Sequence, residues 1–282
     1  MSDRTGGAKS NSDGSTADSV VICEEVVQVY ASASGPVHAL RGVDASFQKG
    51  TVTAVVGPSG AGKSTLLRLL ACVERPVAGE IRVDGLRTAH LTGRARRHLT
   101  GTRIGYVFQR PRDNLLDYLS VREHVVLAVE MRRGDRLSVP GLIERAGLSA
   151  ACDLRPRDIS AGEQQKLALA MAVAGSPAIV IADEPSAELD EADTVAVSML
   201  ITELAAEGQT FVVSSHDPVL LAVADTVLAI DHGAVAARGR PGAMLAAIDR
   251  SGRLVLGAAA AGFPDGLARL IQRSDHLRVE AP

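Results

Sequence analysis

Gly57-Pro58-Ser59-Gly60-Ala61-Gly62-Lys63-Ser64-Thr65 decides how the rest of the chain is read. These nine residues follow the apolar run Val52 to Val56 and precede Leu66-Leu67-Arg68-Leu69-Leu70, which reads as the first turns of a helix. A strand, a glycine-rich turn and then Lys-Ser at a helix N-terminus make the phosphate-cradling pattern G-x-x-x-x-G-K-[ST], with Gly57 and Gly62 as its fixed glycines. Glycine lets the backbone turn tightly with its N–H groups aimed inward at an anion, and the helix dipole adds positive potential there. In such a loop Lys63 reaches the outer phosphates and the Ser64 hydroxyl completes the shell of a Mg²⁺ ion. The bland alternative is an ordinary strand-to-helix turn rich in Gly and Ser, but the pattern sits in the context that the motif requires. The stretch is read as a nucleotide phosphate site.

Upstream of the loop, apolar alternation begins at Val20-Val21-Ile22 and resumes at Val26-Val27-Gln28-Val29-Tyr30, both strand-like. Tyr30 ends the second stretch just before the loop 31–36, so it is a candidate adenine platform; a plain edge-strand tyrosine fits the same position. Val43, Ala45 and Phe47 alternate into the turn Lys49-Gly50, and the next strand delivers the phosphate loop. Met1 to about Asp18 is Gly, Ser, Asp and Thr with almost nothing to bury, which predicts a disordered tail.

Downstream, residues 79–85 read as a short strand between glycine turns. Residues 86–103 carry five arginines and two histidines, either a solvated basic helix or a contact surface. Ile104 to Phe108 returns to strand and stops at Gln109. Leu119 to Met131 and Leu142 to Leu148 have helical periodicity. At Ser160 a helix starts behind a capping box formed with Glu163, runs to about Val173 and is stopped by Ser176-Pro177. Ala178 to Ala182 is continuously apolar, as expected of a central parallel strand buried on both faces, and it ends in Asp183-Glu184-Pro185. Packing would not choose two adjacent carboxylates there, because each costs several kcal/mol if desolvated without a partner. A helix from Thr194 to Ala206 follows, then the strand Thr210 to Ser214 ending at Ser215-His216-Asp217. Two more strands flank Asp231-His232-Gly233.

The 282 residues allow one large domain or two smaller ones, 46% of them are apolar, and no apolar run approaches the roughly 18–20 residues of a membrane helix. A net charge of −3 gives no reason to expect a nucleic-acid partner. Cys23, Cys72 and Cys152 are odd in number and lack metal-ligand spacing. With no apolar signal core at the N-terminus, they read as buried reduced thiols of a cytoplasmic protein.

Taken in order, GPSGAGKST (57–65), the glutamine of YVFQ (Gln109), ISAGEQQ (159–165), IVIADEP (179–185), SAELD (186–190) and the histidine of SSH (His216) resemble the ATP-binding subunit of ABC transporters. The signature's GEQQ ending, Asn114-Leu115-Leu116 and Leu119-Ser120-Val121 are most similar to the lipoprotein-releasing and macrolide-export branch. The chain departs from the family at Ala161 (usually Gly), Lys166 and Met171 (usually Arg) and Asp117 (usually Pro), and the stretch between Gln109 and Asn114 is longer than usual.

The resemblance implies an α/β fold: a P-loop NTPase core over about residues 19–242, an antiparallel β layer including Tyr30, and an inserted helical subdomain at about 110–174. It also implies ATP and Mg²⁺ as cofactors and head-to-tail pairing of two copies, each ATP lying between one copy's Gly57-Pro58-Ser59-Gly60-Ala61-Gly62-Lys63-Ser64-Thr65 and the other's Ser160, Gly162 and Glu163. In that scheme Asp183, Ser64 and Gln109 attend the metal, Glu184 activates water, His216 contacts the γ-phosphate and Asp190 crosses to the partner's loop. The implied function is the ATP-hydrolysing motor of an exporter, peripheral on the inner face of the cell membrane beside a separate permease. A signalling ATPase with a membrane partner and a soluble non-transport ATPase are the alternatives. Residues 243–282 fall outside the family's common core; a β-α-β tail on its own domain and a small swapped-hairpin appendage are the two readings.

Overall fold

The computed structural model describes residues 18–33 and 35–241. The predicted N-terminal tail, apart from Asp18, and the C-terminal extension lie outside these residues. Strands β1 (Ser19–Ser32) and β2 (Gly35–Gln48) form a long antiparallel hairpin. The sequence pattern divides β1 into two stretches, and the structure joins them. Glu24 and Glu25 form a bulge in which the register shifts and Glu25 takes φ +48°, so the alternation breaks while the strand continues. Next, β3 (Val52–Val56) delivers the phosphate loop to α1 (Lys63–Leu70). The chain then returns to the hairpin as β4 (Ala78–Val83) and β5 (Leu86–Arg87), completing an antiparallel sheet in the order β2-β1-β4-β5.

The basic segment becomes α2 (Gly93–Arg103), capped by the Thr92 hydroxyl, with Leu99 as its buried residue. Strand β6 (Ile104–Val107) leads into residues 111–173, which hold α3 (Val121–Met131), α4 (Val139–Arg145), α5 (Ala161–Val173) and short 3₁₀ turns. Then come β7 (Ile179–Asp183), α6 (Glu191–Ala206), β8 (Phe211–Ser214), α7 (Pro218–Ala222) and the antiparallel pair β9 (Thr226–Asp231) and β10 (Ala234–Gly239). The second sheet runs β10-β9-β3-β8-β7-β6, parallel throughout except at β10.

This sheet is buried on both faces, as the apolar run at 178–182 predicts. Ala54, Val180, Ala182 and Val213 join the core that holds α3 to α6, whereas Val55, Ile179, Ile181 and Val212 join α1 and the antiparallel sheet. Each fully buried Val, Leu or Ile contributes about 1.5–3 kcal/mol, so the two cores fix the sheet between them. One consequence is that the carboxyl ends of β3, β6, β7 and β8 emerge along one edge, where ligands bind in sheets of this kind. The thiols depart from expectation at one position: Cys23 and Cys72 are buried, but Cys152 is half-buried and its sulfur accepts a hydrogen bond from Arg122 at 3.0 Å.

Candidate active site

The phosphate loop is shaped by contacts that exclude side chains. Gly57 has φ +152°, and a Cβ on it would stand 2.1 Å from the Ile230 carbonyl oxygen. Gly62 has φ +110°, and its Cβ would stand 2.5 Å from the Ala39 carbonyl oxygen. Only glycine tolerates both the dihedral and the approach. The Ala61 N–H donates to Pro58 O at 3.1 Å, the Gly233 N–H donates to Ala61 O at 2.9 Å, and Leu66 N to Gly62 O opens α1. No acidic residue occupies the first turn of α1, so the helix's positive end is left for an anion from outside. The Lys63 ammonium bridges Gly57 O at 2.7 Å and Pro58 O at 3.3 Å, which places it across the loop.

Opposite the loop stands Asp183, the last residue of β7. Its Oδ1 accepts from the Ser64 hydroxyl at 3.2 Å and from the Ser214 hydroxyl at 2.6 Å. Burial, and then the negative field of Asp183, pushes the Tyr106 phenol on the neighbouring strand up to about 12. Glu184 follows with φ +47°, unusual for a residue with a side chain, and its Oε2 lies 2.9 Å from His216 Nδ1. The Glu184 side chain is 15% exposed and that of His216 63%, so the pair reaches from the sheet edge to solvent. Ser64 and Asp183 supply hard oxygen donors in mutual contact, the kind Mg²⁺ takes. Among the described residues no three His, Cys, Asp or Glu gather to hold a metal.

The other predicted site residues are placed as follows. Gln109 is exposed two residues beyond the end of β6, in a turn stapled by Asn114. The Asn114 side chain accepts from Phe108 N at 2.9 Å and donates to Phe108 O, Arg110 O and Pro111 O. Tyr30 is half-buried; its hydroxyl donates to Glu74, and burial together with that carboxylate raises its pKa. Ser160 and Glu163 form the capping box, Ser160 N donating to Glu163 Oε2 at 2.8 Å and Glu163 N to Ser160 Oγ at 3.1 Å. Each of the two side chains thus accepts from the other residue's backbone N–H. Gly162 lies against the Asp193 carboxylate, and Asp190 caps α6 through its contact with Asp193 N at 2.8 Å. Sequence reading gives no site role to Ser214, Asn114 or Asp193: Asn114 enters only within the Asn114-Leu115-Leu116 motif, Ser214 leaves the trace of a hydroxyl closing an otherwise apolar strand, and Asp193 leaves none.

An inward-facing glycine loop with a lysine across it, beside a strand-end Asp-Glu pair, defines a P-loop nucleoside triphosphatase. The family profile described as ABC transporter matches residues 40–187, and the chain belongs to that family as an ATPase. It is 34% identical over 221 residues to the macrolide export ATP-binding/permease protein MacB of Neisseria meningitidis, covering 77% of this chain and 34% of MacB, so it spans about a third of that relative. It is 35% identical to the lipoprotein-releasing system ATP-binding protein LolD of Porphyromonas gingivalis, covering 71% of this chain and 92% of LolD. Among solved structures it is similar to the dimeric ATP-binding cassette MJ0796 bound to ADP and Pi, with TM-score 0.71, 29% identity and coverage of 78% of this chain and 98% of that one. CbiO1 from Clostridium perfringens, part of the ABC transporter complex cbiONQ, has TM-score 0.71 at 28% identity and covers 81% of this chain and 91% of that one. The fold follows this cassette: an antiparallel sheet beside a mainly parallel one, with helices between β6 and β7.

Proposed function

We propose that the chain is the ATP-hydrolysing motor of a membrane exporter, acting as a pair of copies on a separate permease, with residues 110–174 as the helical unit that faces it. The run of contacts Ser64–Asp183, Ser214–Asp183 and Glu184–His216 at the mouth of the phosphate loop supports the hydrolysis, and the similarity to MacB and LolD supports the transport. Residues 57–65 wrap the phosphates with inward N–H groups, and Lys63 exchanges its carbonyl partners for phosphate oxygens. Tyr30 stacks on the base. Asp183 and Ser64, with Gln109, would hold Mg²⁺, which would neutralise charge on the phosphates. Glu184 accepts the proton of the water that attacks the γ-phosphate as its bond to ADP breaks, and His216, beside Glu184, contacts the γ-phosphate.

Ser160, Gly162 and Glu163 serve the other copy's nucleotide: the N-terminus of α5 adds N–H groups and dipole to its γ-phosphate, and Asp190 crosses beside it. The dimeric form of MJ0796 and the exposed Ser160 support that arrangement. In this reading the chain sits on the inner face of the membrane beside the permease; among the described residues no helix is long and apolar enough to cross a membrane.

The test mixes two inactive variants, Lys63→Ala and Ser160→Arg. In a mixed pair both lesions fall in one composite site and the other is whole. Activity should reappear on mixing, and the wild-type rate per chain should rise with protein concentration as pairs form. A rate independent of concentration together with no rescue refutes the shared site.

A further inference from the structure

Asp183 and Glu184 share a neighbour that the proposed function leaves without a task. Ser214 is the last residue of β8, is fully buried, and stands directly opposite Asp183 in the β7–β8 register. Its hydroxyl donates to Asp183 Oδ1 at 2.6 Å and accepts from the Glu184 N–H at 2.9 Å, and its carbonyl accepts from the same N–H at 3.1 Å. One residue therefore holds the side chain of the first carboxylate and the backbone of the second. Phe211, Val212 and Val213 before it are apolar and fully buried. Packing alone would continue that series, because a hydroxyl taken out of water is costly unless it is hydrogen-bonded. The 2.6 Å contact lies in the range of charge-assisted O–H···O⁻ bonds and is shorter than the 3.2 Å bond from Ser64 to the same oxygen. The N–H bond meets a second need, since Glu184 sits at φ +47°, a conformation that persists only where its surroundings hold it.

We propose that Ser214 is a positioning residue: its hydroxyl sets which way the Asp183 carboxylate faces and ties the Glu184 backbone to the end of β8. This rests on the reading of Asp183 as the metal carboxylate and Glu184 as the base. Hydrogen-bond partners of metal-binding carboxylates matter by about 10- to 100-fold in metal affinity or activity.

The test measures Mn²⁺ affinity by electron paramagnetic resonance on protein loaded with a non-hydrolysable ATP analogue, alongside analogue binding in EDTA. Ser214→Ala should weaken Mn²⁺ by about 10-fold or more while binding in EDTA stays within about twofold. Ser214→Thr, which keeps the hydroxyl, should restore the affinity. Ser214→Val, which keeps the strand apolar and β-branched, serves as a second hydroxyl-free variant if the alanine protein is unstable. A folded hydroxyl-free variant with wild-type Mn²⁺ affinity overturns the proposal, and so does failure of Ser214→Thr to restore it. Asp183→Asn runs beside them. If it too leaves Mn²⁺ unchanged, the metal reading of Asp183 fails; if it weakens Mn²⁺ and Ser214→Ala does not, only the role of Ser214 fails.

Discussion

Gly162→Ala offers a measurement of how tightly α5 and α6 meet at the signature. A Cβ at Gly162 would lie 2.0 Å from Asp193 Cγ and 2.1 and 2.3 Å from its carboxylate oxygens. Carbon contacts relax near 3.5–4.0 Å, so Asp193 must give way by about 1.5 Å. The bond from its N–H to Asp190 Oδ1 at 2.8 Å holds its backbone in the first turn of α6, so the side chain must leave its rotamer or that turn must shift. Turning the side chain away or shifting that turn costs about 1–3 kcal/mol, as overpacking does elsewhere. In a domain of this size each kcal/mol is worth about 2–4 °C, which predicts a Tm lowered by about 2–12 °C. Asp193→Ala alone removes a carboxylate from the α6 N-terminus and should cost only about 0.3–1 kcal/mol. Gly162→Ala/Asp193→Ala should then be more stable than the sum of the single changes by about 1 kcal/mol or more, beyond the roughly 0.3–0.5 kcal/mol within which independent sites add. Thermal melts of the four proteins without nucleotide decide it. A Gly162→Ala melt indistinguishable from wild type, or strictly additive losses, refutes the steric account.

Two further outcomes are expected. Glu184→Gln should retain ATP binding and lose hydrolysis by about 10²-fold or more, read as single-site turnover beside equilibrium binding; near-normal turnover would remove Glu184 as the base. His124 is fully buried, with Leu116 N donating to its Nε2 and Ser120 O bonded to its Nδ1, both at 2.8 Å; this requires the neutral ring, and burial lowers its pKa. The unfolded chain therefore takes the proton first, so His124's contribution is complete above its ordinary value of about 6.5 and falls as pH drops below it. His124→Gln should flatten the Tm profile between about pH 7 and 5, and an unchanged slope would show that the ring does not titrate there.

The parts of the site built by local chain were legible in the sequence. Residues 57–65 carry their turn and helix start within nine positions, the Ser160–Glu163 capping box spans one helical turn, and the Asp183-Glu184 pair ends a strand whose apolar run announces burial. What was hidden depends on register and packing between distant segments. Ser214 meets Asp183 because β7 and β8 align those two residues, and a one-residue slip would turn its side chain to the other face. Asp193 covers Gly162 only through the crossing of α5 and α6. The division of β1 failed for a related reason: a bulge at Glu25 breaks alternation without ending a strand, and the Gly79 backbone that runs against it lies over fifty residues away.

The phosphate loop is gripped from both sheets, by Ala39 O on β2 and Ile230 O on β9, and the Gly233 turn is tied both to Ala61 O and, through its own carbonyl, to Arg41 N. For protein engineering this makes the nonapeptide a poor transplant. Moved to another strand–helix junction it would carry its glycines but leave behind the walls they were chosen to fit. The portable unit is the loop with the β2 edge and the β9–β10 hairpin, three pieces of chain that must be inherited together. Swapping either sheet between relatives would succeed or fail on how those carbonyls meet the loop.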